Sequence, residues 1–164
     1  MNNYSDYLMI TFDIPNWENY ITQYIDEEDL LPNEHKPEPH VTLLGKVYNE
    51  AKLHNIKKHL KPLHKIKVVF NKINIFEIDD ADVVKFELHS NQLKEMNEVL
   101  RRYIAYQDTF VDYKPHITLA YVKKGTGKKY IKKLSKPFQL VPYQYKYSSV
   151  DNSNPEYFEI TNEI

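Results

Sequence analysis

Two short stretches of this 164-residue sequence nearly repeat each other: Pro39-His40-Val41-Thr42-Leu43 and Pro115-His116-Ile117-Thr118-Leu119. At ordinary residue frequencies a second such pentapeptide arises by chance in on the order of one chain in ten thousand. In a strand, residues i and i+2 share a face. His40 and Thr42 therefore point one way, with His116 and Thr118 matching them, while Val41, Leu43, Ile117 and Leu119 point to a core. Pro39 and Pro115 cannot donate to a ladder and mark where each strand begins.

Two imidazoles facing one shared cleft suit phosphoryl chemistry. One takes a proton from the attacking oxygen and the other gives one to the leaving oxygen. Histidine can do both near neutrality. Threonine hydroxyls can hold the non-bridging oxygens as charge grows on them. This arrangement requires no metal. His40, Thr42, His116 and Thr118 are thus the expected catalytic set.

The elements that must position this set can be read from periodicity. Tyr7–Asp13 reads as a strand and Trp17–Ile25 as a helix with Asn16 as N-cap. Asp26–Pro39 holds three prolines and reads as a long loop. His40–Leu44 is a short strand, Ala51–Leu60 a helix, and Ile66–Ile78 one long strand or two. Asp82–His89 is a strand after an Asp79-Asp80-Ala81 turn, followed by a helix over Asn91–Tyr103 with Leu93, Met96, Asn97 and Leu100 on one face. His116–Val122 is the second motif strand. A helix is predicted over Lys128–Leu134, and a hairpin from Phe138–Tyr147 and Tyr157–Ile160 around residues 151–155. The two halves echo each other, which predicts an α+β fold with antiparallel-rich sheets and helices outside.

Several further residues are substrate-binding candidates. Parity puts Tyr121 with Leu119 on the core side, unless the strand bends and swings it to the substrate. Tyr113 is placed at the cleft mouth or in the core. Tyr143, Tyr145 and Tyr147 share one strand face, which is either core or a base-stacking surface. Phe12 and Trp17 carry the same two readings. Lys123, Lys124, Lys128, Lys129, Lys132 and Lys133 form the densest basic patch, a solvated face or a capture surface for an anion. Gly125-Thr126-Gly127 is a turn or a phosphate cradle. His54, His59 and His64 recur every five residues, and His35 and His40 are also five apart. Neither spacing makes a metal site.

The bulk properties narrow the function classes. Twenty-two basic against 23 acidic residues argue against gripping duplex nucleic acid but leave room for one anion pocket. Fourteen tyrosines and seven phenylalanines supply a large core. The absence of cysteine excludes disulfides and thiolate chemistry and fits a reducing cytosol. No signal peptide and no apolar run of membrane-spanning length are present, so no membrane partner is expected.

With these motifs the chain resembles the two-histidine phosphoesterase superfamily, which includes RNA 2′,5′-ligase-like proteins and cyclic phosphodiesterases. A narrower resemblance is to phage anti-CBASS phosphodiesterases. It is carried by EPHVTLLG at 38–45, DVVKFELHSNQLKEMNEVLR at 82–101 and TFVDYKPHITLAYVKKGTGKKY at 109–130. One departure is that Leu44 stands before Gly45 where such relatives often have an aromatic, so the chain lacks a base-stacking ring there. The resemblance implies one bilobal, pseudo-symmetric domain over residues 1–164, with sheets lining a central cleft. It further implies a cofactor-free and metal-independent enzyme hydrolysing 3′,5′ bonds of cyclic di- and trinucleotide signals such as cGAMP, in the host bacterial cytoplasm. A small cyclic nucleotide is then the partner, with His40, Thr42, His116 and Thr118 catalytic and Tyr121, Tyr113, Phe12, Tyr147 and Lys123 toward the substrate. A 2′,5′-oligonucleotide or RNA-end 2′,3′-cyclic phosphodiesterase, or a non-catalytic nucleotide sponge, are the alternatives.

Overall fold

The structure is a computed structural model that describes residues 4–32, 38–48, 53–104, 106, 112–149 and 155–160. Strands β1 (Tyr4–Phe12), β2 (His40–Tyr48), β3 (Val68–Ile78), β4 (Ala81–His89), β5 (His116–Lys123), β6 (Lys132–Leu140), β7 (Pro142–Ser149) and β8 (Glu156–Phe158) carry the fold. Helices α1 (Trp17–Tyr24), α2 (Leu53–Lys57) and α3 (Asn91–Tyr103) accompany them. The strands join one eight-stranded sheet in the order β6-β3-β4-β5-β2-β1-β7-β8, and its recorded pairings are antiparallel.

The sheet divides at β5 and β2 into four-stranded halves, one led by each motif strand. These strands meet at the pair Val41–Ile117. At the motif end the chain also crosses between the halves: Leu140 ends β6 opposite Val68, and Pro142 begins β7 opposite Phe12. Only Val141 separates them, and consecutive Cα atoms sit about 3.8 Å apart. The sheet must therefore curl until its two sides approach there.

The alternation expected around the motifs holds. Val41, Leu43, Ile117 and Leu119 are buried in the core, while the intervening His and Thr residues are half-buried. The core face is covered by the buried Ile21 of α1 and by Leu93, Met96, Asn97 and Leu100 of α3. Trp17 and Tyr24 pack edge-on against Phe86 of β4. Ser90 caps α3, accepting from the Leu93 amide at 3.2 Å.

Three sequence expectations are corrected. Asn16 sits before α1 in the left-handed region (φ 57) and makes no side-chain cap; its carbonyl accepts from Asn19 and Tyr20 instead. Lys128–Leu134 is not a helix. A short 3-10 turn over Gly127–Tyr130 leads into β6, because pairing with β3 outweighs helix propensity there. β6 carries Lys132, Lys133, Lys136 and Pro137, residue types that blunt an exposed edge. Residues 138–147 are not one hairpin arm; they split between β6 and β7 on opposite halves, and β7 pairs with β8. The start of the Ala51–Leu60 helix, His35 with the rest of 33–37, and the turn at 151–154 lie outside the described residues.

Candidate active site

Each motif enters its strand the same way. The carbonyl of Pro39 accepts from the Phe12 amide on β1, and that of Pro115 from the Leu88 amide on β4, both at 3.0 Å. The carbonyl two residues before each histidine takes its ring: His40 Nδ1 lies 2.8 Å from the Glu38 oxygen, and His116 Nδ1 3.1 Å from the Lys114 oxygen. A carbonyl can only accept, so each Nδ1 carries its proton and each Nε2 is left as the working atom.

The repeat extends to a backbone irregularity. Thr42 lies opposite Met9 and Leu44 opposite Leu8, so Leu43 has no β1 partner. Thr118 lies opposite Lys85 and Ala120 opposite Val84, so Leu119 has no β4 partner. Both strands thus bulge one residue after the threonine. The bulge buries two consecutive residues in each motif, Leu43 with Leu44 and Leu119 with Ala120. It also reverses the parity beyond. Tyr121 lies opposite Val83, two residues from Lys85, and so comes to the same face as Thr118. The parity argument from sequence placed it on the other side because it assumed an unbroken strand.

Across the seam, the Val41–Ile117 register continued by one residue sets His40 beside Thr118 and Thr42 beside His116. The four side chains share one face, each histidine next to the other motif's threonine. Two core-side groups hold this geometry. Asn97 Nδ2 donates to the Leu43 carbonyl at 2.8 Å, and the Tyr113 hydroxyl donates to the Thr42 carbonyl at 2.8 Å. Burial pushes the Tyr113 phenol well up, so it stays a donor. Tyr113 therefore ties the approach to the second motif onto the first.

Burial is the main cause holding both imidazoles below their ordinary 6.5, opposed in each case by the backbone carbonyl. Cations add to the lowering: Lys146 beside His40, Lys85 beside His116, and the His40 ring beside His116.

The sequence reading missed the groups flanking these rings. Lys146 on β7 is only 4% exposed, with Nζ 2.5 Å from Glu38 Oε1. The Tyr157 hydroxyl reaches the same oxygen at 2.9 Å. Burial would raise the Glu38 carboxyl, but these two donors outweigh it and hold it low. A cavity of about 400 Å³ opens here, lined by Thr11, Glu38, Pro39, Gln144 and Tyr157 among others. On the other flank, Lys85 lies opposite Thr118, and Phe76, 38% exposed, meets His116 edge-on at 5.7 Å between centroids. Lys85 and Lys146 are each the single lysine of their strand, and only the strand pairing shows which ring each approaches.

Phe12 is buried in the core and also lines the cavity beside Glu38. Most other candidates sit elsewhere. Tyr145 and Tyr147 lie opposite Ile10 and Leu8, on the core face; their hydroxyls go to the Lys61 carbonyl at 2.6 Å and to Asp6 Oδ2 at 3.0 Å. On β7 the even-numbered Gln144 and Lys146 face the cleft, and Tyr143, 54% exposed near the start of the strand, lines the cavity beside Glu38. Trp17 packs against Tyr20 and Phe86. Lys123 is at the far end of β5, roughly 23 Å along the strand from His116 at 3.3 Å per residue. Lys124 faces Asp82 Oδ1 at 3.6 Å, and Lys129 binds Asp29 Oδ2 at 2.5 Å. The Gly125-Thr126-Gly127 amides cradle an internal anion: Gly125 and Gly127 N–H both donate to Asp82 Oδ2 at 2.9 Å. Among the described residues no three His, Cys, Asp or Glu side chains converge as metal ligands, and no helix is long and apolar enough to cross a membrane.

The architecture is similar to that in the structure of Kluyveromyces marxianus Usb1, with a TM-score of 0.64 over 97% of this chain and 99% of that chain, at 8% identity. That likeness is one of fold. No curated protein matches the chain. Residues 27–153, well over half of the chain and including both His-x-Thr motifs, match the family described as Anti-CBASS protein Acb1, and the chain belongs to that family.

Proposed function

We propose that the chain is a metal-independent phosphodiesterase that hydrolyses 3′,5′ bonds of cyclic di- and trinucleotide immune signals, a counter-defence activity exercised in the cytoplasm of a phage-infected bacterium. The observation that carries this reading is the Val41–Ile117 register, with both histidines anchored through Nδ1 on one face. Membership of a family described as anti-CBASS supplies the biological direction.

In the proposed reaction a phosphate sits over the seam. The Nε2 of one histidine takes the proton of the neighbouring ribose 2′-hydroxyl, whose oxygen attacks phosphorus. The other histidine, protonated on Nε2, gives its proton to the departing 5′-oxygen as the P–O bond breaks. The product is a 2′,3′-cyclic phosphate, and water opens it with the two roles exchanged. Thr42 and Thr118 hold the non-bridging oxygens, with Lys85 near the charge that develops. The cavity beside Glu38 and Gln144 takes one nucleoside, and Phe76 offers a ring face to a base on the His116 side.

A substrate panel tests the reading: 3′,3′-cyclic GMP-AMP, a cyclic trinucleotide, a 2′,5′-linked oligonucleotide and RNA with a 2′,3′-cyclic phosphate end, resolved by chromatography. Faster cleavage of the cyclic 3′,5′ substrates is expected, and a deoxyribose analogue should resist. Preference for RNA ends or 2′,5′ linkages would replace the substrate assignment, and return of intact ligand after heat denaturation would make the protein a sponge.

A further inference from the structure

Several lysines of the fold, at the cleft and away from it, are neutralised by carboxylates. Lys146 has Glu38, Lys124 has Asp82 and Lys129 has Asp29. Lys72 of β3 and Lys133 of β6 break this pattern. They lie directly opposite each other on neighbouring strands. Cβ atoms in such pairs are about 5 Å apart, and like charges there repel. Neither makes an ion pair among the described residues. The nearest carboxylate by register, Glu87 opposite Lys72, accepts from Asn74 Nδ2 at 2.6 Å and offsets one of the two positive charges at most, so the row Lys133-Lys72-Glu87 keeps a net positive charge.

The pairing also shows which way these lysines face. Lys133 lies opposite Lys72, Lys72 opposite Glu87, and Glu87 opposite His116. Directly paired residues share a face, so the row runs along the cleft surface to the catalytic histidine. Its other arm continues from Thr42 through Met9 to Lys146. That arm is apolar and then neutralised by Glu38, so the row's unpaired positive charge lies on one side only.

We infer that Lys72 and Lys133 form a second phosphate subsite, which takes the non-scissile phosphate of a cyclic oligonucleotide while the scissile one lies between His40 and His116. This rests on the proposed function, because a cyclic dinucleotide necessarily carries a second phosphodiester. Lys72 stands two strands from His116, about 10 Å at 4.8 Å per strand, and its four-carbon stem lets the ammonium lean toward the seam. A phosphate held by two ammonium groups also relieves the repulsion between them. The nucleoside on the opposite side then lies in the cavity beside Glu38, where a phosphate would meet a carboxylate.

The test is calorimetric binding in a His116→Ala background, which removes turnover, together with turnover of the parent. The probes are 3′,3′-cyclic GMP-AMP, with two phosphates, and the linear dinucleoside monophosphate ApA, with one. Lys72→Ala/Lys133→Ala should weaken cyclic dinucleotide binding at least about tenfold, the scale of a lost charge-assisted contact. The salt dependence of that binding should flatten, while ApA affinity stays within about twofold. Lys58→Ala/Lys65→Ala, two lysines away from the cleft row, serves as the surface-charge control. Equal loss for both probes, loss matched by the control, or no loss would each overturn the subsite. Cyclic dinucleotide that binds through these lysines but is never cleaved by the parent would leave the subsite standing and remove the phosphodiesterase reading. Absence of binding by the parent would remove both.

Discussion

Val41 lies opposite Ile117 at the junction of the two sheet halves, and this pairing makes two separate motifs into one site. Had the register slipped by one residue, each histidine would face the other motif's apolar residue, since a slip of one exchanges faces. The buried Val41 and Ile117 side chains and the Asn97 and Tyr113 hydrogen bonds hold the register that sets the histidines on a diagonal.

His40→Ala and His116→Ala should each lower turnover by at least about a hundredfold, the usual scale for losing a general acid or base. The double variant should be little worse than the singles, because the two act as one unit. Both side chains are half-buried at the cleft, so circular dichroism should match the parent. Near-parental turnover in either single variant would remove the two-histidine mechanism.

Thr42→Val and Thr118→Val keep the β-branched shape and delete a hydroxyl. A role in holding developing phosphate charge predicts a fall in kcat larger than the rise in KM. Steady-state kinetics on 3′,3′-cyclic GMP-AMP separates the two. Unfolding of both variants would instead mark the threonines as structural.

Both imidazoles are held below 6.5, chiefly by burial. One of the pair must be protonated to act as acid, so kcat/KM should follow a bell that declines as pH rises past about 6.5. Bound phosphate favours the protonated forms, so the kcat bell should lie at higher pH than the kcat/KM bell. Lys85→Met and Lys146→Met each remove a cation that lowers a neighbouring ring. In the second variant Glu38 is also freed to raise His40 further. Either bell should therefore move to higher pH, whatever happens to the absolute rate. Rate profiles over pH 5 to about 9 check this, and an acidic shift would contradict the assigned electrostatics.

Asp82 is fully buried and accepts from Gly125 and Gly127 while facing Lys124. Asp82→Ala strands two amides and should cost about 1–3 kcal/mol. Gly127→Ala would bring a Cβ within 2.7 Å of Asp82 Cβ and should lower Tm in the same way. The hydrogen bond from Gly127 is the largest cause of the lowered Asp82 carboxyl, with burial opposing it. Its stabilising contribution is thus present above the ordinary 3.8 and is lost as pH falls through the lower folded value. Thermal melts of both variants, and of the parent down through that range, read these effects.

The motif residues were legible because a repeated Pro-His has no purely structural reason to recur. The helix over Asn91–Tyr103 was legible because Leu93, Met96, Asn97 and Leu100 keep one face over about two turns. Lys85 and Lys146 were not, because a single lysine in a strand gives no sign of which strand lies beside it. The bulge that brings Tyr121 to the face of Thr118 cannot be read from periodicity, and the β7 tyrosine stripe divides, with Tyr145 and Tyr147 on the core face and Tyr143 at the cavity beside Gln144. The stretch at 128–134 looked helical from local composition, but the open edge of β3 decided its conformation.

The most direct measurement of the central claim is chromatography of 3′,3′-cyclic GMP-AMP incubated with the purified protein in excess EDTA. Two histidines that carry both protons predict cleavage to linear products at the same rate with and without chelator, and loss of cleavage in His40→Ala and His116→Ala. A metal-bound hydroxide would behave differently. Cleavage abolished by EDTA and restored by Mn²⁺ or Mg²⁺ would contradict the account.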